Sequence, residues 1–103
     1  MKFLMFVMMD VAKAAEMAQA SDKVWASPPP GTKMLADYVC LGLAFPGAPA
    51  NTGVGVSVIE ADSAEALTAV SYPLGLAGAS IWNVPVMEMP VAGSAELEKK
   101  MRG

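Results

Sequence analysis

Apolar residues fill both phases of a period-two pattern at the start of the chain. Phe3, Met5, Val7 and Met9 share one face, and Leu4, Phe6 and Met8 share the other. Successive side chains of a strand point to opposite sides of a sheet, so residues 2–9 read as a strand that is apolar on both faces. Asp10 then suits a helix cap, because its carboxylate can accept amide protons of the first turn. The helix that follows, through about residue 21, is rich in alanine; Val11, Ala14, Ala15 and Ala18 make a narrow face of small side chains suited to lying close to a sheet. From Ser21 to Thr32 the chain is a connection, since Pro28-Pro29-Pro30-Gly31 favours extended and then turning backbone.

Period two returns over residues 34–43, where Asp37, Val39, Leu41 and Leu43 oppose Ala36, Tyr38 and Cys40. Proline, glycine and asparagine mark residues 45–53 as a loop. Val54 to Glu60 form a third strand, with Val54, Val56 and Val58 opposite Gly55, Ser57 and Ile59. Asp62 and Glu65 have the spacing of a capping box, and Tyr72-Pro73 should end the helix they start near Ser71. A fourth strand is expected over Ile81–Met89, with Pro85 placing it at a sheet edge or on a bulge. Ser94 to Met101 would be a short helix or a tail.

Strand, helix, strand, strand, helix, strand is a split βαβ arrangement. Right-handed crossovers turn it into an α+β, ferredoxin-like βαββαβ fold: one four-stranded antiparallel sheet with both helices on one face. Residues 1–92 would form this single domain and 93–103 the terminal helix or tail. The second sheet face is then bare. Composition sharpens the problem, because 54% of the 103 residues are hydrophobic and 17% are charged, against about 25% charged in ordinary domains. A domain this small has little interior, so a second copy covering the bare face is the simplest resolution, and a homodimer is expected.

The formal charge is −3, and four of the seven cations are Lys2, Lys99, Lys100 and Arg102. No basic stripe is left along the fold to displace counterions from phosphates, which argues against nucleic-acid binding. A lone cysteine allows no internal disulfide and fits a reducing, cytoplasmic setting. Lys2 before an apolar run resembles a secretion signal, but Asp10, Lys13 and Glu16 interrupt it. No apolar run approaches the roughly 20 residues that span a bilayer, so no membrane partner is expected.

With these elements in place, the chain resembles the small dimeric α/β-barrel proteins, in particular an uncharacterised branch of short bacterial and archaeal members. The resemblance rests on Met1-Lys2-Phe3-Leu4-Met5-Phe6, on Val58-Ile59-Glu60-Ala61-Asp62-Ser63-Ala64-Glu65-Ala66-Leu67, and on Val84-Pro85-Val86-Met87-Glu88-Met89. It implies two sheets packed face to face around a barrel cavity. The superfamily includes cofactor-free monooxygenases, heme-degrading proteins, chlorite dismutase relatives, muconolactone isomerase-like enzymes, stress-induced proteins and ligand-sensing domains; a shared scaffold does not choose among them. The absence of histidine departs from the heme-handling members, and Trp25 and Trp82-Asn83 only faintly echo the polar groups of quinone-forming monooxygenases.

Without histidine, the chain lacks the commonest metal ligand and the usual proton shuttle at neutral pH. A Ser-His-Asp triad cannot be assembled, one cysteine plus carboxylates at no ligand spacing is a poor supply for zinc, and no cofactor or metal is expected. Candidates for proton transfer are Tyr38, Glu60 and Glu88. Glu88, set between Met87 and Met89, would have a raised pKa if buried without a partner, and would keep an ordinary carboxylate role if it faces water. Tyr38, Cys40, Trp82, Met87, Met89 and Trp25 are candidate ligand-binding residues, Trp25 as a lid or as a loop anchor. Cys40 reads first as a small buried hydrophobe. Nine methionines could supply soft copper(I) ligands, but without a Met-x-x-Met run they read as adaptable packing. The expected function is binding of a small apolar or aromatic molecule in a barrel cavity. A cofactor-independent monooxygenase- or isomerase-like enzyme, and a structural or protein-interaction module, are the alternatives.

Overall fold

The computed structural model describes residues 1–41 and 49–103. Its elements are β1 (Lys2–Asp10), α1 (Ala14–Ala26), β2 (Thr32–Val39), β3 (Thr52–Ala61), α2 (Thr68–Leu76), β4 (Ser80–Pro85) and α3 (Ser94–Arg102), with single 3-10 turns leading into α1 and α2. The four strands form one sheet in the order β2-β3-β1-β4, and every neighbouring pair is antiparallel. This is the βαββαβ order that the periodicity predicts, with the first strand between the third and fourth.

Register fixes which side chains share a face. Phe3 lies opposite Ile59, Met5 opposite Ser57 and Asn83, and Val7 opposite Gly55 and Ile81. Phe3, Met5, Val7, Ile59 and Ala61 pack against Met17 and Val24 of α1 and against Leu67, Val70 and Leu74 at α2, forming one buried cluster. Helices therefore cover one face. On the other face Leu4 meets Val58 and Val84, while Phe6 meets Val56 and Trp82. Val54 is its buried member, whereas Trp82 is 52% and Tyr38 62% exposed.

Several boundaries differ from the sequence expectation, each for a physical reason. Asp10 does cap, its Oδ1 accepting from the Ala12 amide at 2.9 Å, but α1 continues five residues past 21 because Val24 and Trp25 find the core. The small-residue face of α1 is not pressed on the sheet. Val11, Ala14, Ala15 and Ala18 are exposed, and the larger Met17 and Val24 take the buried side. β2 starts two residues earlier than expected and ends at Val39, with a register shift between Met34 and Ala36; Leu43 and residues 45–48 of the expected loop lie outside the described residues, and its last two positions, Thr52 and Gly53, already belong to β3.

Asp62 does not close a capping box. Its amide donates to the Gly31 carbonyl at 2.9 Å, and Ser63 Oγ accepts from the Ala66 amide at 3.2 Å instead. Helix α2 does not stop before Tyr72-Pro73 but carries Pro73 in its interior. Val70 and Leu74, fully buried on either side of it, outweigh the lost amide donor. β4 lies at the sheet edge, one of the two placements that Pro85 allowed, yet it ends there rather than at Met89. Only one further bond, from the Val86 amide to the Lys2 carbonyl at 3.0 Å, extends the pairing.

Candidate functional site

On the helix-covered face of the sheet, β3 carries Gly53, Gly55 and Ser57 at alternate positions. Their side chains are too small to meet α1, whose opposing flank is itself small: Ala14, Ala18 and Ser21. Small residues facing small residues leave a hollow. The result is a cleft of about 720 Å³ at one end of the sheet, floored by Met5, Val7 and Met9, with Met17 and Leu74 where it meets the core. That size falls in the range of small-molecule sites, about 300–1,000 Å³.

The wall is apolar with a sparse, one-signed set of polar groups. Ser57, only 4% exposed, donates its hydroxyl to Asp37 Oδ1 at 2.8 Å. Asp22 and Ser21 stand on the α1 rim, and Asp22 and Asp37 are the charged residues of the lining. Both are acids, and among the described residues no lysine or arginine accompanies them. A guest fitted to this wall brings an apolar body and a hydrogen-bond donor, since Ser57 occupies only one of the two Asp37 oxygens.

The residues singled out from sequence do not gather in one place. Tyr38 and Cys40 border the cleft at its β2 side, although Tyr38 lies opposite Val56 in the register and belongs to the uncovered face. The Cys40 amide pairs with the Val54 carbonyl at 2.9 Å, and the residue is half-buried with a free thiol. Trp82 is on the uncovered face, while Met87 and Met89 follow β4 and are exposed. Trp25 lies in α1 against the core, and its Nε1 is buried without a hydrogen-bond partner among the described residues. The methionines are likewise dispersed, with Met5 and Met17 in the core and Met87, Met89 and Met101 exposed.

The carboxylates proposed for proton transfer sit at the far end of β1. Glu60 Oε1 is 2.7 Å from the Met1 amino group, and Glu88 Oε1 is 2.7 Å from Lys2 Nζ. Glu88 is exposed and outside β4, and the raising effect of burial is the weakest influence on its carboxyl. The hydrogen bond from Lys2, and then the Lys2 charge, hold its carboxyl below the usual 4.5. Asn83, next to Trp82, bonds Ser71 on α2 through Nδ2 at 2.8 Å and serves the packing of β4. Among the described residues no group of three acidic or cysteine side chains could hold a metal ion, and no helix is long and apolar enough to cross a membrane.

Sequence reasoning missed the cleft. The signal that could have found it was present, since Gly55 and Ser57 share the face of Ile59; small residues on a helix-facing phase mark a place where the second layer is held off.

No family model matches the chain, and no curated protein is similar to it. Among solved structures, the chain is similar to a DUF3240 family protein from Shewanella baltica OS155, with a TM-score of 0.43 and 10% identity over 87% of this chain and 94% of that one. A likeness that distant is silent on function.

Proposed function

We propose that this chain is a small-molecule-binding protein, acting as a homodimer, whose guest is largely apolar and carries a hydroxyl or amine. One observation carries the reading: an apolar cleft of about 720 Å³ whose charged lining residues are Asp22 and Asp37. Apolar walls supply affinity in proportion to the area they remove from water, and a few fixed polar groups set orientation. Acceptors without a lysine or arginine favour neutral or cationic guests and disfavour carboxylates, because an anion entering here would meet like charge in a site of reduced dielectric. The homodimer is supported by the uncovered sheet face, where Trp82 and Tyr38 are more than half exposed.

The test uses N-phenyl-1-naphthylamine, a neutral apolar dye with one N–H donor that fluoresces when removed from water. Wild-type protein gives a saturable signal near one dye per chain. Gly55→Val is the blocking variant. Among the described residues a Cβ at Gly55 would meet the Tyr38 carbonyl alone, at 3.6 Å, so a valine there fits the strand and projects into the cleft. Affinity then falls by about tenfold or more, the equivalent of roughly 1.4 kcal/mol. Absence of saturable binding, or equal binding by Gly55→Val, overturns the reading.

A further inference from the structure

The charge of the cleft is not balanced within the chain. Asp22 on α1 and Asp37 on β2 are the charged residues of its lining. Among the described residues the acids in ion pairs are Glu16, Glu60, Glu88 and Glu98, so neither aspartate has a cation. The chain has seven lysines and arginines: Lys2, Lys13, Lys23, Lys33, Lys99, Lys100 and Arg102. All seven are described, and none of them lines the cleft. Residues 42–48 contain no lysine or arginine, so the remaining stretch of sequence cannot supply one.

A cation that answers these two acids therefore has to come with the guest. A bare metal ion is poorly served. No group of three acidic or cysteine side chains stands together among the described residues, whereas calcium takes about six to eight oxygen ligands. The floor of Met5, Val7 and Met9, with Met17 and Leu74 behind it, instead rewards a hydrocarbon body. Donor count points the same way. Asp37 Oδ1 holds the Ser57 hydroxyl, which leaves its Oδ2 and the carboxylate of Asp22 as acceptors. An alkylammonium offers three N–H donors and no acceptor, which suits such a set; an alcohol offers one donor and leaves both negative charges uncancelled.

We propose that the guest of the cleft is an amphiphilic amine: a protonated primary amine on a hydrocarbon body, its ammonium facing Asp22 and Asp37 and its body against the methionine floor. This rests on the small-molecule-binding reading and narrows the guest from hydrogen-bond donors in general to organic cations. Both aspartates are exposed. The apolar walls therefore supply most of the affinity, and the two charges supply the choice between guests, an effect that salt weakens.

Displacement of N-phenyl-1-naphthylamine from the full chain tests both. The competitors are 1-octylamine, 1-octanol and octanoate, which share one alkyl body, at about pH 7, where the amine is protonated. In about 20 mM salt octylamine should displace the dye at a concentration about tenfold below that of octanol, with octanoate the weakest, and about 0.5 M NaCl should shrink that ratio. The ratio is read within each variant, so a general loss of dye binding cancels. Asp22→Asn and Asp37→Asn should each lower it by about threefold, and asparagine at position 37 keeps an acceptor for Ser57. Glu65→Gln removes a charge outside the lining and should leave the ratio at its wild-type value. Octylamine no better than octanol while the dye still binds saturably overturns the amine and leaves the small-molecule reading standing. A ratio that falls equally in Glu65→Gln does the same, since net charge would then explain it. No saturable dye binding by the wild type overturns both.

Discussion

Ser57 Oγ donates to Asp37 Oδ1 at 2.8 Å across the β2–β3 pair, joining a buried hydroxyl to an exposed edge carboxylate in the wall of the cleft. The two ends of this bond are not equivalent. Ser57 is 4% exposed and has little water to turn to, whereas Asp37 is exposed.

Ser57→Ala removes the donor and leaves a carboxylate that solvent can satisfy, so it should cost about 1 kcal/mol. Asp37→Ala strands a buried hydroxyl and should cost more, about 1–3 kcal/mol. Asp37→Asn keeps an acceptor and falls below both. Urea denaturation of the three variants checks the order, and equal losses from Ser57→Ala and Asp37→Ala would show that the hydroxyl is hydrated.

Gly31 closes the connection between α1 and β2 at φ +76°, with its carbonyl receiving the Asp62 amide. A Cβ there would fall 2.7 Å from Asp62 Oδ2 and 3.2 Å from Asp62 Cγ. Gly31→Ala thus meets an unfavourable backbone conformation, about 1–2 kcal/mol, with a steric clash added to it. Gly31→Ala combined with Asp62→Ala relieves the clash alone, so the double variant should recover part of the loss, read as a thermal midpoint between those of wild type and Gly31→Ala.

Those positions show what the amino-acid pattern made legible. Alternation assigned β1, β2 and β3 and sorted β1 and β3 correctly between their faces, because a half-buried strand has to write its burial at period two. Asp10 was readable as a cap because the motif is local. Pro73 and the small face of α1 were misread for the opposite reason. Whether Val70 and Leu74 hold a proline inside a helix, or Met17 displaces Ala14 from the sheet, depends on contacts with residues far away in the chain. The cleft belongs with these, since it arises where glycines of β3 face alanines of α1. Glu88 was misplaced once Pro85 was read as a flaw in a longer strand rather than its end.

Pro73 offers a direct measure of that override. Interior to α2, it can donate no amide to the carbonyl of Ala69, and only the neighbouring burial of Val70 and Leu74 keeps the turn helical. Pro73→Ala restores the donor but frees the unfolded chain, at about 0.4–1 kcal/mol. Set against the helix penalty of proline, about 3 kcal/mol, the variant should gain about 2–2.6 kcal/mol. Leu74→Ala should lose about 2–5 kcal/mol by emptying core volume. Chemical denaturation measures both. Destabilisation by Pro73→Ala would mean that the ring itself packs better than its missing amide costs.

The Lys2–Glu88 pair gives a titration with a definite sign. The hydrogen bond from Lys2, then its charge, lowers the Glu88 carboxyl from 4.5, while the same bond and the charges of Glu88 and Glu60 raise Lys2 from 10.5 against a small opposing effect of burial. For Glu88 the stabilisation is complete above its unfolded value and disappears as pH falls through its lowered folded value. For Lys2 it is complete below the unfolded value and disappears as pH rises through the raised one. The pair therefore contributes across the whole interval between the two and fades only in acid below 4.5 and in base above 10.5. Both groups touch water, so the contribution is small and falls with salt. An NMR titration of the Glu88 side-chain carboxyl should give a midpoint below the ordinary value at low salt. It should return upward in Lys2→Met, and also in about 1 M NaCl, where the screening length is about 3 Å. A Glu88 midpoint indifferent to both changes would mean that the root of the C-terminal segment is not tied to β1 in solution.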